Sequence, residues 1–141
     1  MAPAFAGERI LAVRTNVLFI CEHGSAKSVI AAAHLERIAR ESGLDAHAAS
    51  RGTDPDAVFP PHVLAGLRSD HLAPLDNTPV ALSSEDIAAA TEIIVFCSPE
   101  MLPESAVPSE IWDDVPPVSE GYARARDEIV RRVERLLRSQ R

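Results

Sequence analysis

The sequence predicts a small α/β domain built on a mostly parallel sheet, for three reasons. The chain has 141 residues, of which 46% are hydrophobic, which is the size and composition of one globular domain. Short, strongly apolar runs at residues 16–20 and 92–97 are typical of strands buried on both faces. Segments with helical spacing separate these runs, giving the order β-α-β-α-α-β-β-α that is expected of an α/β domain.

The first half of the chain begins with the strand at residues 16–20. A helix is predicted at residues 29–40, where apolar side chains recur at helical spacing, and Gly43 stands where a helix C-cap belongs. A weaker strand is expected at residues 45–50, followed by a turn in the segment "RGTDPD". Residues 60–67 are predicted to form a short helix with proline at its start.

In the second half, Ser83 or Ser84 is expected to cap a short helix, because acidic residues occupy its first turn. The segment "EIIVFC" at residues 92–97 is the clearest strand of the chain. The proline-rich stretch that follows is mostly loop, with a short strand at residues 110–112. Residues 119–137 form a long terminal helix with its apolar side chains on one face.

Charge and composition restrict the partners and the location. The net charge of −7 argues against general nucleic-acid binding, and no apolar segment approaches the roughly 20 residues that span a bilayer. Residues 1–13 lack a convincing signal peptide and are interpreted as an N-terminal arm, followed by a single domain at residues 14–141. Two cysteines are too few for a disulfide scaffold, which indicates a reducing, cytoplasmic setting.

The segment "ICEHGSAKS" at residues 20–28 joins the first strand to the first helix and allows two interpretations. A nucleotide-binding P-loop should read G-x-x-x-x-G-K-[ST]. The final Lys-Ser pair fits that motif, but Cys21 and Ala26 occupy its two glycine positions. The motif also needs an acidic residue at the end of a later strand to hold magnesium, and the clearest strand ends on Cys97 instead. We therefore do not favour this interpretation.

Read from its cysteine, the same segment is C-x5-K-S, a layout suited to covalent chemistry on a tetrahedral oxyanion. Cys21 is the candidate nucleophile, because a helix N-terminus favours the reactive thiolate. The N–H groups of the loop and the helix dipole favour a dianion such as phosphate, sulfate or arsenate. Lys27 supplies a cation, and Ser28 can hydrogen-bond the sulfur when it acts as a leaving group. The predicted anion-binding residues are Glu22, His23, Gly24, Ser25, Ala26, Lys27 and Ser28.

This segment resembles the active-site loop of the low-molecular-weight protein tyrosine phosphatase superfamily, which reads C-x5-R-S between a strand and a helix. The superfamily also contains arsenate reductases that couple to thioredoxin or to low-molecular-weight thiols. The stretches "ASRGTDPD", "LSSEDIAAATEIIVFC" and "WDDVPPVSEGYARARDEIVRRVERLL" resemble further parts of its pattern, so the resemblance covers about residues 14–138. It implies a four-stranded parallel sheet of order 2-1-3-4 flanked by helices, with the loop at the carboxyl ends of the strands.

The chain departs from the family pattern within the loop. Lys27 replaces the family's arginine, and an ammonium group cannot grip two oxygens at once as a guanidinium does. The family's Gly-Asn pair is His23-Gly24 here, so the asparagine that props the loop is missing. Gly24 can still adopt an unusual backbone angle without strain. Glu22 places a carboxylate beside the anion site.

The general acid is expected before the last helix, where the family has an Asp-Pro pair. Counting without gaps from Trp112 puts Pro116 at that place, with Asp113 and Asp114 two or three residues earlier. Asp114 is the predicted acid and Asp113 is an alternative, and a solvated acidic loop is the other interpretation of both residues. His23 is a second candidate proton donor by its chemistry.

Cys97 ends the third strand, which neighbours the first in a sheet of order 2-1-3-4, so it is expected near Cys21. Its favoured interpretation is a small buried apolar residue. The alternative is a redox partner of Cys21 in arsenate reduction. A metal site formed by Cys21, His23 and Cys97 is not favoured, because no fourth ligand is evident.

Three functions therefore compete. The leading prediction is a cysteine-dependent phosphatase that hydrolyses aryl phosphate monoesters, such as protein phosphotyrosine, through a thiol-phosphate intermediate and without a metal or cofactor. The second is an arsenate reductase that uses Cys21 with Cys97 or with an external thiol. The third is a catalytically weak member that binds an oxyanion in a regulatory role. The phosphatase leads because the nucleophile, the loop length and Ser28 are all retained.

Overall fold

A computed structural model describes residues 14–139, which form four strands and four α-helices. The predicted N-terminal arm at residues 1–13 lies outside the described residues. In chain order the elements are β1 (Thr15–Cys21), α1 (Lys27–Ser42), β2 (Ala46–Gly52), α2 (Pro61–Ser69), α3 (Ser84–Ala89), β3 (Glu92–Val95), β4 (Glu110–Ile111) and α4 (Tyr122–Arg138). Short 3-10 turns at Pro99–Met101 and Val118–Glu120 lead into the loop before β4 and into α4.

The four strands form one parallel sheet of order β2-β1-β3-β4, which confirms the predicted order 2-1-3-4. In this register Cys21 lies opposite Gly52 of β2, and its neighbour Ile20 lies opposite Val95 of β3. The carboxyl ends of β1, β2 and β3 therefore meet at one edge of the sheet. Ligands bind at this edge in open α/β sheets.

Side chains of β1 alternate between two hydrophobic clusters, as the period of a strand requires. Val17 and Phe19 belong to the larger cluster, which includes the buried faces of α1 and α4. Leu18 and Ile20 belong to a smaller cluster with Ile93 and Val95, next to α3. The larger cluster contains an aromatic group whose ring centroids are 5.7–6.2 Å apart, formed by Phe19, Phe96 and Trp112.

Local signals in the sequence account for the helix ends. Gly43 ends α1 in the left-handed conformation, with φ of 68°, and its N–H donates to the carbonyl of Arg40. Ser83 starts α3 in a capping box with Asp86, in which each side chain accepts a hydrogen bond from the other residue's backbone N–H. Among the described residues, no helix combines the length and the apolar character needed to cross a membrane.

A cluster of hydrogen-bonded polar side chains, centred on a buried histidine, joins the helices α1, α2 and α4. His34 of α1 is 3% exposed, and its Nε2 lies 3.1 Å from the carboxylate of Asp70 at the end of α2. Arg37 approaches Nδ1 of the same ring at 3.0 Å, and the Tyr122 hydroxyl of α4 donates to Asp70 at 2.7 Å. Because arginine can only donate, Nδ1 must accept, which requires a neutral ring with its hydrogen on Nε2. Burial lowers the pKa of His34, in agreement with the neutral form.

Candidate active site

The loop at residues 21–27 leads from the end of β1 into the first turn of α1, so it lies at the carboxyl edge of the sheet. It borders an open cleft of about 340 Å³. The lining residues are Cys21, Glu22, His23, Ser25, Ala26, Lys27, Phe96, Cys97, Ser98 and Met101. Five of the seven predicted anion-binding residues, all except Gly24 and Ser28, therefore line one cleft together with Cys21 and Cys97.

The sulfur of Cys21 lies at the end of a short chain of hydroxyl groups. Ser28 Oγ is 2.9 Å from Cys21 Sγ, and Ser50 Oγ donates to Ser28 Oγ at 3.0 Å. Both serines are buried, whereas Cys21 is half-buried and reaches the cleft. A thiolate can only accept a hydrogen bond, so in that state Ser28 donates to Cys21 while Ser50 donates to Ser28. The predicted contact between Ser28 and the sulfur is present.

The backbone of the loop has its carbonyl groups bound and its N–H groups available. Three carbonyls accept hydrogen bonds of 2.7–3.2 Å from N–H groups in the turn after β2: those of Cys21, Glu22 and His23, from Thr53, Asp54 and Asp56 respectively. Within residues 14–139, no protein acceptor binds the backbone N–H groups of residues 22–26. N–H groups arranged in this way at a helix N-terminus favour an anion.

Gly24 adopts the left-handed conformation that its position in the loop requires, with φ of 60°. It also lies directly against Gly52 of β2. A Cβ atom on Gly24 would be 2.8 Å from the backbone nitrogen of Gly52, and a Cβ atom on Gly52 would be 2.7 Å from that of Gly24. The loop and the end of β2 are therefore in backbone-to-backbone contact that admits no side chain at either position.

Lys27 lies near the nucleophile, but its ammonium group is bound elsewhere. Its Nζ donates to the carbonyl oxygen of Val115 at 2.7 Å, on the loop that follows β4. Burial lowers the pKa of Lys27, and the charges of Cys21, Asp114 and Asp113 partly oppose that shift. An oxyanion in the loop would thus compete with a main-chain carbonyl for this cation.

Asp114, the predicted general acid, is engaged in an ion pair. Arg132 of α4 binds both of its carboxylate oxygens, at 2.9 and 3.1 Å. This contact lowers the pKa of Asp114, which favours the ionised form. A carboxylate held ionised is a poor proton donor, so the geometry counts against the predicted role, although the role itself stays a prediction. Asp113 and His23 stay candidates, and of these His23 lines the cleft.

Cys97 lies two residues beyond β3 and borders the same cleft as Cys21. Both thiols are free, and both are half-buried. Burial raises the pKa of Cys97, and the charges of Cys21 and Glu22 raise it further. Cys97 also packs against the smaller hydrophobic cluster, but it is half-buried, so its interpretation as a small buried apolar residue stays a prediction. The structure thus brings the two cysteines to one cleft, and a redox role stays a prediction.

Cys21, His23 and Cys97, which the sequence did not favour as a metal site, do line one cleft. Another group, formed by Glu22, His23 and Asp54, has the spacing of metal ligands, and Asp54 was not a candidate from the sequence. Ligand atoms of Glu22, His23 and Asp54 lie within 4.8 Å of one another. Exposed acidic groups commonly lie this close without a metal, so the spacing alone does not define a metal site.

A cysteine at the start of a strand-to-helix loop, on a parallel sheet of order 2-1-3-4, is an arrangement suited to thiol chemistry on an oxyanion. The family model described as low molecular weight phosphotyrosine protein phosphatase matches residues 16–105. This match covers well over half of the chain, and the chain belongs to that family. A search among curated protein sequences found no match.

Similar solved structures include both phosphatases and a reductase. The thioredoxin-dependent arsenate reductase of Corynebacterium glutamicum has a TM-score of 0.72 and 25% identity, and the match covers 99% of this chain and 68% of that one. A phosphotyrosine phosphatase of Vibrio cholerae has a TM-score of 0.75 and 18% identity over 89% and 95% of the two chains. A mutant YwlE arginine phosphatase with a phosphorylated active-site serine has a TM-score of 0.74 and 18% identity over 89% and 95%.

Proposed function

We propose that this protein hydrolyses aryl phosphate monoesters, such as protein phosphotyrosine, with Cys21 as nucleophile. The Cys21 thiolate attacks phosphorus, and the bond from phosphorus to the aryl oxygen breaks. That oxygen takes a proton from a general acid, for which Asp114 is the predicted residue and Asp113 and His23 are the alternatives, and the phenol leaves. Water then attacks the thiol-phosphate, the phosphorus–sulfur bond breaks, and inorganic phosphate leaves. Such chemistry needs a reduced thiol, which is why we also propose a cytoplasmic location.

The observation that carries this proposal is the position of Cys21 Sγ, 2.9 Å from Ser28 Oγ and beside the N–H groups of the loop. The N–H groups can hold the equatorial oxygens as their charge develops. The serine can stabilise the thiolate as it attacks and again as it leaves. The N–H groups would contact the phosphoryl oxygens, and the Ser28 hydroxyl contacts the sulfur. Neither contact requires Lys27 or a particular general acid.

The test is an assay of p-nitrophenyl phosphate hydrolysis on the wild type and two matched thiol variants. We expect Cys21→Ser to abolish turnover and Cys97→Ser to retain it, because hydrolysis needs one thiol. The two substitutions change the same chemical group in one cleft. Turnover that survives Cys21→Ser would contradict the proposal. A wild type that binds phosphate but does not turn over would instead support the oxyanion-binding, regulatory alternative.

A second candidate is arsenate reduction, and the placement of Cys97 in the same cleft as Cys21 favours it. Arsenate would first form an adduct on the Cys21 sulfur with loss of water. The Cys97 thiolate would then attack that sulfur, so that arsenite leaves with the electron pair and a Cys21–Cys97 disulfide forms. Two thiols are oxidised as arsenic(V) becomes arsenic(III), and an external dithiol must reduce the disulfide.

This second candidate is tested with arsenate on the same variants. Cys97→Ser should abolish arsenate reduction while leaving phosphate-ester hydrolysis intact. Mass spectrometry after exposure to arsenate without reductant should show a Cys21–Cys97 disulfide in the wild type. Reduction that persists in Cys97→Ser with an added small thiol would indicate the external-thiol route. No disulfide and no loss of arsenate would eliminate the reductase.

A further inference from the structure

The loop lacks the side chain that props it in the family pattern, because Gly24 stands where that pattern has asparagine. A glycine in the left-handed conformation gives the loop its shape but cannot hold it, since it has no side chain to bond. The loop must therefore be held from outside. The turn after β2, at residues 53–56, is the segment that contacts it.

Asp56 contacts the loop on both sides of Gly24. Ser25 Oγ donates to Asp56 Oδ2 at 2.8 Å, and Nδ1 of His23 lies 3.5 Å from Asp56 Oδ1. The backbone N–H of Asp56 also donates to the carbonyl of His23 at 3.0 Å. Asp56 thus contacts both neighbours of Gly24, and the strongest of these contacts is that of its carboxylate with the Ser25 hydroxyl. Nδ1 of His23 lies nearer to the carbonyl oxygen of Asp54, at 3.2 Å.

The burial of Ser25 makes its contact with Asp56 important. Ser25 is 3% exposed and borders the cleft, whereas the Asp56 side chain is 44% exposed. Without the carboxylate, a buried hydroxyl loses its acceptor. The backbone contact between Gly24 and Gly52 leaves little room to adjust, because both residues already lie at the limit of close approach. We therefore expect the shift to fall on the N–H groups that follow Gly24, those of Ser25 and Ala26.

We propose that Asp56 is a positioning residue that holds the oxyanion loop in shape through Ser25 and His23, in place of the missing asparagine. This inference rests on the proposed function, because it concerns the same loop. Asp56 is not among the residues that line the cleft beside Cys21. It fixes the direction of the loop N–H groups, and small errors in such positions are costly to the rate.

The test compares Asp56→Ala, Asp56→Asn and Asp54→Ala. Asp56→Ala should lower kcat/KM by up to about 100-fold, because displaced N–H groups bind both the substrate phosphate and the transition state less well. Asp56→Asn keeps an acceptor for Ser25 and should restore most of that loss. Asp54→Ala removes the same charge from the same turn without touching Ser25, so it should cost far less than Asp56→Ala.

Alkylation of Cys21 by iodoacetate, with and without inorganic phosphate, tests the same inference without turnover. Phosphate should protect Cys21 in the wild type and in Asp56→Asn, and should protect it poorly in Asp56→Ala. If the wild type hydrolyses nothing but this order of protection holds, the phosphatase proposal fails and the positioning role stands. If Asp56→Ala matches Asp54→Ala in kcat/KM and in protection, or if Asp56→Asn restores neither, the positioning role is wrong.

Discussion

Replacement of Ser28 by alanine removes the hydroxyl group that lies 2.9 Å from Cys21 Sγ. The hydroxyl is buried, and Ser50 donates to it from behind, so its position is fixed before the reaction begins. A hydrogen bond to a charged group contributes about 1.5–3 kcal/mol. Since each 1.36 kcal/mol changes a rate tenfold, Ser28→Ala should lower kcat by about 10- to 150-fold.

The substitution should slow mainly the hydrolysis of the thiol-phosphate, because the serine stabilises the sulfur as a leaving group. Stopped-flow release of p-nitrophenol by Ser28→Ala should therefore show a burst of about one equivalent per enzyme, followed by slow turnover. Ser50→Ala is the matched control. It removes the second hydroxyl of the chain but leaves the one that contacts sulfur, so its loss of kcat should be smaller.

Two results would refute this reasoning. An unchanged kcat in Ser28→Ala would show that the serine does not stabilise the sulfur during the rate-limiting step. Equal losses in Ser28→Ala and Ser50→Ala, accompanied by equal losses of thermal stability, would show that the hydroxyl chain is structural and has no direct catalytic effect.

Three further predictions concern Lys27, Asp114 and His34. Lys27→Arg should raise kcat by up to about 100-fold and tighten phosphate binding less, because a guanidinium can keep the bond to Val115 and still contact two oxygens of the substrate. Lys27→Ala should lose both turnover and phosphate binding. Steady-state kinetics measures kcat, and inhibition by phosphate measures phosphate binding. Asp114→Asn should lower kcat far less than the factor of about 100 or more that a general acid supplies, because Arg132 holds Asp114 ionised, and the pH profile of kcat should keep its shape. Burial lowers the folded-state pKa of His34, so the stability that its neutral form contributes is full above its unfolded pKa of about 6.5 and is lost as the pH falls below that value. The Tm should therefore fall less between pH 7.5 and pH 5.5 in His34→Gln than in the wild type.

The position of Cys21 at the end of β1 and of the loop that follows it could be predicted, because their determinants are local. An apolar run identifies β1, Cys21 follows it directly, and Gly43 ends α1 at the predicted position. The conformational freedom of Gly24 was likewise predicted from its lack of a side chain, and its φ of 60° uses that freedom. Helix and strand bounds differ by a few residues, as expected where ends are set by hydrogen bonding rather than by composition.

The partners of these residues could not be predicted, because they lie far apart along the chain. Lys27 and Val115 are separated by 88 residues, and Ser28 and Ser50 by 22. Nothing in the composition of α4 indicates which of its arginines meets Asp114. The resemblance did indicate the stretch "ASRGTDPD", which contains both Ser50 and Asp56, but it did not predict their contacts with the loop.

The most direct test of a covalent role for Cys21 is to trap the phosphoryl group on it. Ser28→Ala should accumulate the intermediate, so a denaturing quench after mixing with p-nitrophenyl phosphate, followed by peptide mass spectrometry, measures it. We predict phosphate on the peptide that contains Cys21, at close to one equivalent and in step with the burst. Release of p-nitrophenol with phosphate on another residue, or with none bound to the protein, would contradict the account.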